Sequence, residues 1–130
     1  MTKTFIINGN NINNIETFYK EINEIFMKNV DWKLGASLDA LNDMLYGGFG
    51  EIDGNEEVIF IWKNFEKNKI DLGYECTKEY YENKLKSPQI FNVKHFQEEI
   101  EKLEKGQGQT YMDIILEIIN DHKNIKLIKQ

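Results

Sequence analysis

Val58-Ile59-Phe60-Ile61-Trp62 is the run on which the fold turns. β-branched and aromatic residues follow one another with no polar break, and such a run suits a strand buried on both faces. Asp53-Gly54-Asn55, just before it, is turn chemistry. Two weaker runs flank it at a distance. Thr4–Ile7 (TFII) reads as a short strand closed by Asn8-Gly9, and Ile125–Ile128 (IKLI) reads as a last strand. Helical periods lie between them. Strands joined by helices predict an α/β domain with a parallel sheet and right-handed crossovers.

Immediately upstream of the run stands Ser37–Gly50, SLDALNDMLYGGFG. It predicts a helix that starts on a Ser cap and stops at Gly47-Gly48, where a left-handed C-cap fits. Leu38, Leu41 and Leu45 make one apolar stripe for the core. Asp39, Asp43 and Tyr46, at i, i+4 and i+7, share a different face. That face, with its two carboxylates, its aromatic and the glycine-rich loop that follows, is the candidate site. Asp31–Ala36 is a loop carrying Trp32, and Ile15, Phe18, Tyr19, Ile22 and Phe26 mark an amphipathic helix capped by Asn13 or Asn14.

Downstream the pattern weakens. Thr77–Leu85 reads as a short helix and Pro88, the lone proline, as a break. Val93, Phe96, Ile100 and Leu103 outline a helix capped by Asn92 and ending near Gly106. After a loop at Gly106–Gln109, Thr110 and Asp113 form a capping box with Asp in place of Glu. Ile114, Ile115, Ile118 and Ile119 then face the core on a helix ending about His122, with Asp113, Glu117 and Asp121 along its other side.

At 130 residues, 41% apolar and 12% aromatic, the chain suits one globular domain with its own core. A single cysteine, Cys76, excludes an internal disulfide and fits a reducing compartment. No signal peptide or membrane-spanning run is visible, so the expected location is the cytoplasm. Charge is uneven. Between Asp31 and Trp62 lie seven of the 22 acidic residues (Asp31, Asp39, Asp43, Glu51, Asp53, Glu56 and Glu57) but one of the 16 basic ones, Lys33. The whole excess of −6 therefore sits around the predicted site helix. Such a field repels nucleic acid and speeds the arrival of a basic protein.

Spacing offers little catalytic chemistry. His95 and His122 lie far apart and form no metal-ligand motif with Cys76, so no metal or cofactor is expected. His95 reads as a helix surface residue and His122 as a partner for the dipole at a helix end. No GxSxG or Cys/His signature is present, and Gly47-Gly48-Phe49-Gly50 follows a helix instead of opening one, unlike a phosphate loop. Asp39 and Asp43 could form an acid/base pair, but nothing in the sequence separates their acidities as such a pair requires. Trp62 reads as core; Trp32 is left open.

Ile6–Gly9 (IING), Leu34–Gly48 (LGASLDALNDMLYGG), Val58–Lys69 (VIFIWKNFEKNK) and Asp113–Ile128 (DIILEIINDHKNIKLI) together resemble the barstar family of intracellular ribonuclease inhibitors. The resemblance spans residues 4–70 and 110–128, and the LDALND run is its most specific part. It implies a three-stranded parallel sheet packed against helices, in a single domain that blocks the active site of a secreted bacterial ribonuclease. Asp39 and Asp43 match the two helix acids that the family offers to the nuclease's phosphate site, Asp43 being the one that enters the catalytic centre. Glu117 matches an acid of the last helix that touches the nuclease, and Gly35 and Gly47 match glycines of the binding loops. Asn42 and Tyr46 belong to the same expected surface. The chain departs from the pattern at Lys33-Leu34, Asn42 and Gly48, where the family has aromatics; Tyr46, Phe49 and Trp32 are candidates to replace them. The segment at 71–109 is longer than its counterpart, which implies a family-specific insertion, with Glu75–Gln109 expected to be dispensable. Two alternatives stay open: a module of the same fold for another basic protein, and a small acid/base enzyme using Asp39 and Asp43.

Overall fold

The computed structural model describes residues 2–130. Three strands and six α-helices follow in the order β1 (Lys3–Asn8), α1 (Ile15–Phe26), α2 (Leu38–Leu45), β2 (Val58–Lys63), α3 (Phe65–Asp71), α4 (Tyr74–Leu85), α5 (Val93–Glu104), α6 (Tyr111–Asp121) and β3 (Ile125–Lys129), with a 3-10 turn at Gly9–Asn11 between β1 and α1. The sheet is parallel throughout in the order β1-β2-β3, with Phe5 opposite Phe60 and Phe60 opposite Leu127. This is the α/β architecture expected from the sequence.

β2 holds the centre. Val58, Phe60 and Trp62 are buried in one cluster with Phe18, Ile22 and Phe26 of α1, Leu41, Met44 and Leu45 of α2, and Ile115 and Ile119 of α6. Phe18 stacks on Trp62 with ring centroids 5.9 Å apart. Burying such side chains stabilises the fold by about 1.5–3 kcal/mol each. The expected burial of β2 on both faces is overturned. Ile59 and Ile61 are only half-buried, and with Ile6 and Ile128 they lie outside the main core. Side chains alternate along a strand, and the core helices pack on the other face. The isoleucines on the outer face reflect preference for a pleated surface, without a second layer.

Local signals place most helix ends. Asn14 and Thr17 form a capping box at α1, and Thr110 and Asp113 form another at α6. Asn92 caps α5 by accepting the His95 amide at 3.1 Å. α4 starts at Tyr74, a turn earlier than expected, and α3 was not anticipated at all.

The long segment after α3 has two unequal halves. α4 is fastened to the main core: Thr77 is buried and its Oγ1 accepts the Tyr111 amide at 2.7 Å. Cys76 and Tyr80 pack against the same cluster, Tyr80 edge-on to Tyr111. Tyr111 in turn shares a 2.7 Å hydroxyl contact with Tyr19 of α1, where burial pushes the Tyr19 phenol up to about 12. α5 instead packs on α4, and its Ile100 and Leu103 are buried outside the main core. Replacing residues 87–108 by a Gly/Ser linker of about ten residues, enough to run back along α4, should therefore leave a cooperatively unfolding protein. Removing 75–109 takes Thr77 and Tyr80 from beneath Tyr111 and should broaden or abolish the transition. Denaturant melts of the two variants check this, and equal behaviour would overturn the division.

Candidate protein-binding face

α2 forms where its sequence directs it. Ser37 Oγ accepts the Ala40 amide at 3.2 Å, and the chain leaves the helix through Gly47, whose amide donates to Met44 O at 3.0 Å. Gly47 has φ +83° and its carbonyl accepts the Gly54 amide at 3.0 Å, so any Cβ there would run into the backbone of Gly54. Gly35, by contrast, has open space where a Cβ would stand. The first glycine is needed by the free fold; at the second the free fold leaves room for a side chain.

Two anchors hold the helix. Leu41, Met44 and Leu45 sink into the core. The approach loop is clamped by buried Asn23 of α1, which takes the Leu34 amide on its Oδ1 at 2.6 Å and donates Nδ2 to Leu34 O at 3.1 Å. Asp39, Asp43 and Tyr46 then stand exposed on one face, Tyr46 at 63%. Neither carboxylate makes an ion pair or a hydrogen bond among the described residues.

Other acids of the same stretch are occupied. Lys3 bridges Asp53 at 3.1 Å and Glu56 at 3.0 Å, and Lys28 approaches Glu51 at 3.8 Å. The Asp53 amide, and after it the Lys3 ammonium, hold the Glu56 carboxyl below its usual value. The charge excess seen in the sequence thus separates into a group partly offset by Lys3 and Lys28 and a group without ion pairs among the described residues that includes Asp31, Asp39 and Asp43. Trp32 lies 47% exposed with its ring centroid 4.9 Å from that of Phe49, joining the loops on either side of α2.

On the other flank of α2, Asn42 Oδ1 lies 2.8 Å from His122 Nε2, and the Tyr46 ring meets the His122 imidazole edge-on at 4.6 Å. His122 is 6% exposed, and burial lowers its pKa from the ordinary value. His122 stands at the end of α6, as expected of a dipole partner, but burial disfavours its charged form and its ring is taken up by Asn42 and Tyr46. Glu117 is exposed on α6 but accepts Gln109 Nε2 at 2.6 Å, beside a cleft that includes Ile125 and Leu127 of β3. The structure therefore gathers Asp39, Asn42 and Asp43 on α2 and Tyr46 and Gly47 at its end, with Gly35 just upstream. It gives Glu117 no direct contact with them. Sequence reasoning missed Asn23 and His122, whose partners lie 11 and 80 residues away.

Alternative chemistry finds weak footing. The Cys76 thiol is pushed up by burial, which leaves little thiolate. Among the described residues, no group of three or more His, Cys, Asp or Glu is placed to hold a metal ion, and no helix is long and apolar enough to cross a membrane.

A comparison with curated proteins finds no match. The family model described as barstar (barnase inhibitor) matches residues 2–81, from β1 through α2 and β2 into α4. That match covers more than half of the sequence, and the chain belongs to the barstar family.

Proposed function

We propose that this protein is an immunity-type inhibitor that plugs the active site of a bacterial ribonuclease with the acidic face of α2, within the cell that makes the nuclease. The observation that carries the reading is the pair of exposed, unpaired carboxylates one turn apart on a helix pinned by its own core stripe and by Asn23. A ribonuclease must present cations where phosphates bind. Carboxylates on a rigid helix occupy those cations and offer no bond to cleave. Exposed charge speeds encounter, and desolvated charge pairs slow release.

Membership of an inhibitor family supports this reading over the acid/base enzyme. So does the environment of Asp39 and Asp43, which stand on one open face with no neighbour to divide acid from base. One observation favours a partner other than barnase. Asn42, where the family has an aromatic, is tied inward to His122, so the aromatic share of the contact must come from Tyr46 and Trp32.

Titrating the purified chain against barnase, and against small basic ribonucleases encoded beside its gene, tests the proposal by RNA cleavage. Expected is stoichiometric loss of activity for at least one of them, with association slowing as salt is raised. The chain itself should show no hydrolysis. Failure to inhibit any of them, or turnover that copurifies with the chain and vanishes in Asp43→Asn, would overturn it.

A further inference from the structure

We propose that His122 is a positioning residue for the binding face: it clamps Asn42 and Tyr46 and so fixes how Asp39 and Asp43 are presented before a partner arrives. The inference rests on the inhibitor reading for its purpose, but the clamp is a property of the free chain. α2 has eight residues, too few to stand alone, so its order comes from what it packs against. Leu41, Met44 and Leu45 hold its inner side. Tyr46 is the cap residue that closes the last turn, where fraying begins, and Asn42 lies one turn earlier on the same flank.

His122 is built as a fixed post for that flank. Its amide donates to Ile119 O at 3.1 Å and its carbonyl accepts the Ile125 amide at 3.0 Å, so its backbone is held by the end of α6 and the start of β3. Its ring then reaches Asn42 at 2.8 Å through Nε2, which must carry the proton if Asn42 Oδ1 accepts it. The edge-on Tyr46 ring completes the contact. A helix ordered in advance loses less freedom on binding, which shows as affinity.

Hydrogen exchange of the free chain tests the clamp, comparing wild type with His122→Ala and His122→Gln. In His122→Ala, amides from Asp43 to Gly47 should exchange roughly 2- to 12-fold faster, the range of one net hydrogen bond, while β2 amides keep their rates. His122→Gln, which can still donate to Asn42, should recover much of the protection. Unchanged α2 rates, or equal acceleration in α2 and β2, would overturn the proposal. Affinity for barnase, used as the probe, should fall within the same range in His122→Ala and less in His122→Gln. Faster exchange with wild-type affinity would also overturn the positioning role. Absence of barnase binding by the wild type would fit the preference for another nuclease, and exchange alone would then decide the clamp.

Discussion

Asp43→Ala should weaken binding to the cognate nuclease by about 2–5 kcal/mol, roughly 30- to 5,000-fold, mainly through faster release. The barnase–barstar pair is itself among the complexes in which losses of this size are measured. In the free chain Asp43 is exposed in the last turn of α2 and its carboxylate holds no partner among the described residues. Its removal therefore leaves no broken contact, and Ala is the better helix former, so stability should stay within about 0.5 kcal/mol of wild type. On the proposed reading, the same carboxylate faces desolvated cations in the complex. Truncation leaves those cations buried and unpaired, which is the larger share of the loss. Surface plasmon resonance beside a denaturant melt separates the two states. Unchanged affinity would remove α2 as the site, and a large stability loss would make Asp43 a structural residue.

The neighbouring acids carry smaller expectations for structural reasons. Asp39 sits in the first turn of α2, where the helix N-terminus already favours a negative charge, so its loss touches the free chain as well. Glu117 must share its carboxylate with Gln109 or release it before it can serve a partner. Asp39→Ala and Glu117→Ala should therefore each cost less affinity than Asp43→Ala.

What the sequence could show follows from the range of the interactions. Ser37, Asn92 and the Thr110–Asp113 box are visible because a cap and the amides it satisfies lie within a few residues. The acid pair was visible because helical spacing puts Asp39 and Asp43 on one face. The outer face of β2 was misread because a run of apolar residues does not say whether a second layer covers it. α3 gave no signal: Asn64 enters it in the left-handed region with no side-chain cap, and its buried residues are just Phe65 and Asn68. The His122–Asn42 contact joins helices 80 residues apart and has no local trace.

The least visible residue of all should be among the most costly to lose. Asn68 is fully buried on α3, the helix the sequence did not reveal. Its Oδ1 accepts the Trp62 indole at 2.8 Å, and its Nδ2 donates to Gly9 O at 3.0 Å and Ile12 O at 3.2 Å. It therefore ties the central strand to the turn that leads into α1. That turn is close enough for Gly9 to have no room for a Cβ against Asn68 Oδ1 and the Lys63 carbonyl. The two carbonyls keep other donors, Ile12 N and Lys67 Nζ respectively, but the indole N–H has no second partner among its described contacts. Asn68→Ala should thus destabilise the chain by about 3 kcal/mol, from one orphaned buried donor, the lost bonds and the void. Trp62→Phe removes the donor from the other side, so the double variant should cost less than the sum of the two single ones by about 1–2 kcal/mol. Denaturant melts of the four proteins measure this coupling. Strict additivity, or a loss below about 1 kcal/mol in Asn68→Ala, would show that water takes the place of the amide.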